Sequence, residues 1–364
     1  MADPISRLQR LLRRRRIDAF LVSQPENRRY LSGFSALDHS INESSGFLLI
    51  PKKGRPLLLT DFRYQLQADR EAGRFDILIY QRGLLPLLKT ILGKLAVTNL
   101  AFEPGYFLHA KYLLLAKLAH ALPMQLTPLD GQIERLRLIK DAEELAAVKR
   151  SVALNEAVFK EIYPTIKPGQ TEIEIALALE NAMRLMGAER PSFDTIVAGG
   201  PNGALPHAVP SHRPLAPGEP IVIDMGLILA GYCSDMTRTI VLGAPDSHTV
   251  TLFRLVRQAQ LAGLAALKPD VPGRDVDTAA REVIKKAGYG ACFGHSLGHG
   301  VGLAVHEAPS LSSRNKKLLR PGMIVTVEPG VYVKGWGGIR LENMAVLTEL
   351  GHEVLNRDTT FLDL

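Results

Sequence analysis

Two stretches of this sequence place pairs of carboxylates in strand-like surroundings. In the first, the apolar run Ile221-Val222-Ile223 leads into Asp224, and Asp235 stands just before Met236-Thr237-Arg238-Thr239-Ile240. A tight reversal near Leu229-Ala230 sets Asp224 directly across from Asp235 on paired antiparallel strands. Side chains opposed in this way have Cβ atoms about 4.5–5.5 Å apart, and like charges there are destabilising unless something compensates them. A divalent cation is the expected compensator. The second stretch repeats the geometry: a reversal centred on Gly335 sets Glu328, in Thr326-Val327-Glu328-Pro329-Gly330, against Glu342, in Gly338-Ile339-Arg340-Leu341-Glu342-Asn343. A lone acid is usually a surface or salt-bridged carboxylate, but four acids in apolar strand contexts point to metal.

Three of the ten histidines, His295, His299 and His306, fall within a dozen residues, interleaved with Gly298, Gly300 and Gly302. Such a cluster suits metal binding or acid–base work, and glycines there let backbone approach a ligand or metal closely. His207 lies apart on a Gly/Pro-rich loop. His248 and His352 read as ordinary packed or surface rings. Four acids with one imidazole form a hard, oxygen-rich donor set that favours Mn²⁺, Co²⁺, Fe²⁺ or Zn²⁺ over Cu. Because carboxylates bridge, five ligands can hold two ions about 3.5–4 Å apart.

The elements that must position these residues follow from apolar periodicity. The first third alternates strands (Ile17–Val22, Gly46–Ile50, Leu57–Thr60, Ile77–Tyr80, Leu100–Phe102) with helical patterns (Tyr64–Ala72, Leu84–Leu92, Leu108–Leu122). This predicts an α/β domain with some antiparallel pairing. A connector over Leu126–Ile139 precedes a long helix with Asp141 as its N-cap. The expected domains are therefore residues 1–130 and 131–364. In the second, Thr171-Glu172-Ile173-Glu174 is a capping box opening a helix that runs to about Gly187. Helices near Thr249–Leu267 and Val276–Ala287 and strands near Met323–Pro329 and Ile339–Leu347 complete an α+β domain with antiparallel sheet.

Composition narrows the function classes. With 364 residues the chain exceeds the usual size of a single core, and 46% hydrophobic against 22% charged residues exclude disorder. Cys233 and Cys292 form no disulfide framework and no CxxC pair, which fits a reducing compartment. No apolar run has signal-peptide or membrane-spanning length, so the expected location is cytoplasmic, with no membrane partner. The net charge of +7 and the run Arg13–Arg16 raise nucleic-acid binding. Leu8, Leu11 and Leu12 recur at helical spacing among those arginines, however, so the run reads as the solvated face of a first helix. No nucleic-acid-binding signature accompanies it.

These motifs closely resemble the metallopeptidase family that includes Xaa-Pro aminopeptidase (aminopeptidase P), prolidase and methionine aminopeptidase, with the creatinase relatives that share the pita-bread fold. The first third resembles the creatinase/prolidase N-terminal domain through Pro25-Glu26-Asn27-Arg28-Arg29-Tyr30-Leu31-Ser32-Gly33-Phe34 and Thr60-Asp61-Phe62-Arg63-Tyr64. The resemblance implies an α/β N-terminal domain followed by an α+β pita-bread catalytic domain. It implies that Asp224 chelates one ion, that His299 and Glu328 bind the other, and that Asp235 and Glu342 bridge both. It also makes His207 and His306 contacts to substrate and transition state, places His295 behind the ligands, and gives Arg340 the role of steadying the cluster. Asn343 departs from the acid more usual in proline-specific members.

The implied reaction is hydrolysis of the bond before proline, in peptides with proline second. Two cations, most readily Mn²⁺ with Co²⁺, Zn²⁺ or Fe²⁺ as alternatives, would make water nucleophilic near neutral pH. Glu328 would carry its proton, and the two histidines would stabilise the oxyanion. The large N-terminal domain disfavours methionine aminopeptidase. The full ligand set disfavours creatinase and a non-catalytic binding protein. Aminopeptidase P is preferred to prolidase, and a homodimer is expected by analogy.

Overall fold

The computed structural model describes residues 3–40 and 42–359 and divides the chain into two compact units, Met1–Arg137 and Leu138–Leu364. In the first unit six short strands form one sheet, in the order 76–79, 57–60, 46–51, 19–22, 99–102, 125–128. Ala19–Val22 pairs antiparallel with Gly46–Pro51 and parallel with Asn99–Phe102, so the sheet is mixed. Alternate residues of the central strands serve two cores. Phe20, Val22, Leu48 and Ile50 pack on one face with Ile5, Leu8 and Leu12 of helix Pro4–Arg14, whereas Ala19, Leu21 and Leu49 pack on the other with Leu88 and Leu115. Burial on both faces explains why these strands read as continuous apolar runs.

The second unit repeats one theme twice. The helix pair Ala142–Ile162 and Glu172–Leu185 covers the sheet formed by 196–199, 220–225 and 236–241, burying Val158, Leu179, Ile221 and Ile223. The pair Ser247–Ala266 and Gly273–Lys286 packs Val256, Ala280 and Ile284 against Val325, Val327 and Ala345 of the five-stranded sheet. Both expected helix starts are present. Asp141 accepts from the Glu143 and Glu144 N–H groups, and Thr171 and Glu174 form a reciprocal box. Gly187, at φ +102°, takes the chain out of the helix that ends at Leu185.

One expectation about register is corrected. Asp224 lies opposite Thr237, not Asp235. The reversal falls at Ala230-Gly231, one residue later than expected, because both residues take φ > 0 (+50° and +86°), as a two-residue hairpin turn of this hand requires. Asp235 is thus a diagonal neighbour of Asp224 on the same face. In the second hairpin the pairings Val327↔Asn343 and Gly330↔Arg340 bracket Glu328 and Glu342, which keep the expected opposition. The long strand expected over Ile339–Leu347 is interrupted at Leu341-Glu342. There the Glu342 N–H donates to the Thr237 carbonyl, and the Glu328 N–H donates to the Leu297 carbonyl. The acids therefore stand where strands leave one sheet for the next.

Candidate metal centre

All nine residues singled out by type and spacing or by the family resemblance, including His207, His295, His306 and Arg340, line one cavity of about 530 Å³. Asp224 is the next-to-last residue of strand Pro220–Met225, His299 is the middle residue of Gly298–Gly300, and Asp235, Glu328 and Glu342 occupy the strand breaks. One ligand atom each from Asp235, His299 and Glu342 can be chosen so that all lie within 4.8 Å of one another. His299 Nε2 is 3.2 Å from Glu328 Oε1 and 3.6 Å from Asp235 Oδ2. Its Nδ1 lies 3.1 Å from the Gly300 carbonyl, to which an Nδ1–H donates, and this turns Nε2 toward the acids.

The glycines around His299 act differently from the expectation that they admit a ligand. A Cβ on Gly298 would stand 2.0 Å from the Thr326 carbonyl, and one on Gly300 would stand 2.3 Å from that of Ala308. Glycine here lets neighbouring strands close on each other, which is what aims His299 inward.

Electrostatics mark the cluster as short of positive charge. Four carboxylates face one guanidinium, that of Arg340, whose Nη2 donates to Asp224 Oδ2 at 2.6 Å. Burial, then the charges of Glu342 and Asp224, push Asp235 well above the usual carboxylate range; burial, then Glu328 and Asp224, do the same to Glu342. Burial opposes a charge on His299, yet the hydrogen bond and charge of Glu328 lift it to about 9. Glu328 in turn is held low, burial being outweighed by His299. The cluster thus draws in protons where cations would serve better. Two buried oxygens, Asp224 Oδ1 and Glu342 Oε1, have no hydrogen-bond partner among the described residues. Orphaned carboxylate oxygens beside an imidazole nitrogen, which offers a lone pair once a cation displaces its proton, are a donor set that fits divalent ions.

Some residues of the site escaped the reading of the sequence. Arg340 Nη1 donates to the Tyr332 hydroxyl at 2.8 Å, and that hydroxyl lies 2.9 Å from His295 Nε2. His295 Nδ1 lies 2.8 Å from the Ser296 carbonyl, so Nδ1 carries the hydrogen and Nε2 accepts from Tyr332. Burial lowers the pKa of His295, consistent with that neutral form. Thr237 donates to Glu342 Oε2 and accepts from Arg340 Nε; Thr326 donates to Glu328 Oε1 and accepts from the His299 N–H. The polar tip of a tyrosine in an apolar hairpin, which needs a partner when buried, was the available signal for Tyr332. Nothing in the sequence distinguished the two threonines.

Supports reach the outer parts of the cavity as well. Fully buried Glu172 accepts from the Gly199 and Ser211 N–H groups and from Asn202, fixing the loop that carries His207. Lys140 pairs at 2.6 Å with Glu307, next to His306. Arg281 donates to the Phe293 and His295 carbonyls while paired with Asp277, which accepts from the Leu297 N–H. Phe193, Ile196, Val209 and Pro210 form an apolar wall.

Residues 146–349 match the model of metallopeptidase family M24, and residues 4–139 match that of the creatinase/prolidase N-terminal domain. The chain belongs to metallopeptidase family M24. Among its relatives, an Xaa-Pro dipeptidase of Pyrococcus furiosus is 30% identical, with 98% of each chain covered. The structure of an Xaa-Pro dipeptidase from Bacillus anthracis superposes with a TM-score of 0.90 at 38% identity, covering 98% of this chain and 97% of the other. That of an X-Pro aminopeptidase from Thermotoga maritima gives 0.87 at 36%, covering 97% and 98%. The fold of this M24 chain is the two-domain pita-bread fold that the sequence motifs implied. As an M24 metallopeptidase it is a hydrolase of a family that uses divalent metals, and it carries a group of side chains able to hold one. No helix among the described residues is long and apolar enough to cross a membrane.

Proposed function

We propose that this M24 chain is an Xaa-Pro dipeptidase that uses two divalent metal ions, Mn²⁺ foremost. The observation that carries the proposal is the cluster of four carboxylates and His299 with orphaned oxygens on one cavity wall. Asp224, Asp235, His299, Glu328 and Glu342 would hold the ions. Bound there, the ions would supply Lewis acidity and ready deprotonation of water near neutral pH.

The chain's own residues do the rest. Glu328, whose Oε1 is fixed by Thr326, takes a proton from the attacking water and passes it to the proline nitrogen as the bond breaks. His207 and His306, both on the cavity wall and both exposed, donate to the carbonyl oxygen as charge develops on it. Arg340 holds Asp224 through its Nη2 and, through Tyr332, holds His295. The apolar wall of Phe193, Ile196, Val209 and Pro210 suits a proline ring, which offers no N–H to satisfy.

The preference for aminopeptidase P drawn from the sequence is revised. The Pyrococcus furiosus and Bacillus anthracis relatives support the dipeptidase reading. The aminopeptidase reading remains the second, favoured by the Thermotoga maritima structure. Turnover of Ala-Pro and Ala-Pro-Ala by protein reconstituted with Mn²⁺ separates the two. Faster hydrolysis of the dipeptide is expected, and dominant tripeptide turnover overturns the dipeptidase choice. A homodimer forms part of the same proposal, and sedimentation at micromolar concentration tests it.

A further inference from the structure

The helix Pro4–Arg14 carries more positive charge than the metallopeptidase reading needs, and part of that charge lines a cavity. Arg7, Arg10 and Arg14 recur at helical spacing, so they share one face, while Ile5, Leu8 and Leu12 anchor the helix in the core. Arg135 joins them from the short helix Glu134–Arg137. Together with Gln132 and three leucines, these four arginines line a cavity of about 390 Å³. The whole lining belongs to the first unit and includes no acid.

The acids nearest in sequence are turned elsewhere. Asp3 caps the helix through Ser6 and pairs with Arg74, and Glu134 accepts from Asn27. Among the described residues the side chains of Arg7, Arg10, Arg14 and Arg135 make no ion pair or hydrogen bond. Arg13, off this cavity, donates to the Lys52 carbonyl, and Arg28, Arg213, Arg238, Arg281 and Arg340 all face carboxylates. The negative end of the helix accounts for a cation at Arg14 but not for Arg7 or Arg10 in earlier turns.

We infer that this cavity binds a small phosphorylated anion, of the oligophosphate or nucleotide class. A concave surface lined by one sign of charge concentrates counter-ions, and guanidinium forks match phosphate oxygens two at a time. The volume falls in the usual range of about 300–1,000 Å³ for small-molecule sites. The leucines leave room for an apolar or ring-bearing portion of the ligand. A nucleic-acid strand is disfavoured because sequence-tolerant strand binding uses aromatic platforms, and the lining has none.

Calorimetric titration of the metal-free full-length chain with pyrophosphate, and separately with ATP, tests the inference without either probe binding through metal. The expected result is one-to-one binding that weakens as salt rises from about 50 to 200 mM and screens the guanidinium groups. Tighter ATP binding identifies a nucleotide site, and equal binding identifies an oligophosphate site. The double variant Arg10→Ala/Arg135→Ala, both positions exposed, should lose at least about tenfold in affinity. Arg13→Ala/Arg15→Ala, which removes equal charge outside the cavity, should bind as the parent does. Equal loss in both double variants overturns the inference. So does failure of both probes at low salt, or binding of a short oligonucleotide with neither small probe bound.

Discussion

Replacing Asp235 with asparagine should move the stability of this protein in opposite directions with and without metal. The replacement is nearly isosteric, and Asp235 is 4% exposed and lies in the group whose ligand atoms fall within 4.8 Å of one another. Two unit charges at that spacing repel by about 3–4 kcal/mol at an effective dielectric of 20. Proton uptake by the raised Asp235 and Glu342 already relieves most of this in the metal-free state. A residual gain of about 1 kcal/mol raises the metal-free melting temperature by roughly 2–4 °C for a unit of this size. With metal the balance reverses. An ion present at about 100 times its dissociation constant stabilises the parent by about 2.7 kcal/mol, and loss of one proposed ligand that weakens binding about 100-fold removes nearly all of it. Differential scanning calorimetry of EDTA-treated protein, repeated across a Mn²⁺ titration, reads both effects. If Asp235→Asn melts lower than the parent without metal, or gains as much from Mn²⁺, the electrostatic reasoning is wrong.

The metal-free protein should also lose stability as pH rises through His299. That residue is carried above its ordinary 6.5 to about 9, so its contribution is complete below about 6.5 and is lost as pH passes about 9. Metal-free melting temperature should fall across that window while Mn²⁺-loaded protein holds steady, and parallel curves would refute the assignment. Arg281→Met leaves the fully buried Asp277 without its partner and should cost roughly 3 kcal/mol in urea unfolding, with Asp277→Asn/Arg281→Met costing less than the two single changes together. Gly298→Ala, whose Cβ would meet the Thr326 carbonyl, should abolish stabilisation by Mn²⁺, whereas Gly294→Ala, with open space around it, should melt and bind Mn²⁺ as the parent does.

What could be read along the chain was whatever depends on neighbours in sequence. Apolar periodicity, the N-cap Asp141 and the capping box at Thr171 located the helices of the second unit to within a few residues, because caps and amphipathic faces are local devices. Five of the six strands of the first unit were legible for the same reason, while the sixth, Gln125–Pro128, and the helix Pro25–Ser32 were not. Seven of the residues gathered around the cavity, the four acids and His295, His299 and His306, were also legible as chemical types, since acids in apolar strands and clustered histidines stand out against their surroundings, whereas Arg340 and the role of His207 came only through the family resemblance.

Tertiary structure decided how those groups face one another. Asp224 and Asp235 were placed directly opposite, yet a hairpin turn shifted by one residue made them diagonal neighbours. The long strand ending in Leu347 was read as continuous, yet it breaks at Glu342, whose N–H turns to the Thr237 carbonyl. Tyr332, Thr237 and Thr326 entered the site only through hydrogen bonds between segments far apart in sequence. Local sequence determines which backbone conformations and side-chain chemistries are on offer. Which carboxylates share a space is fixed by register and strand crossings, and these depend on packing between segments that no local pattern encodes.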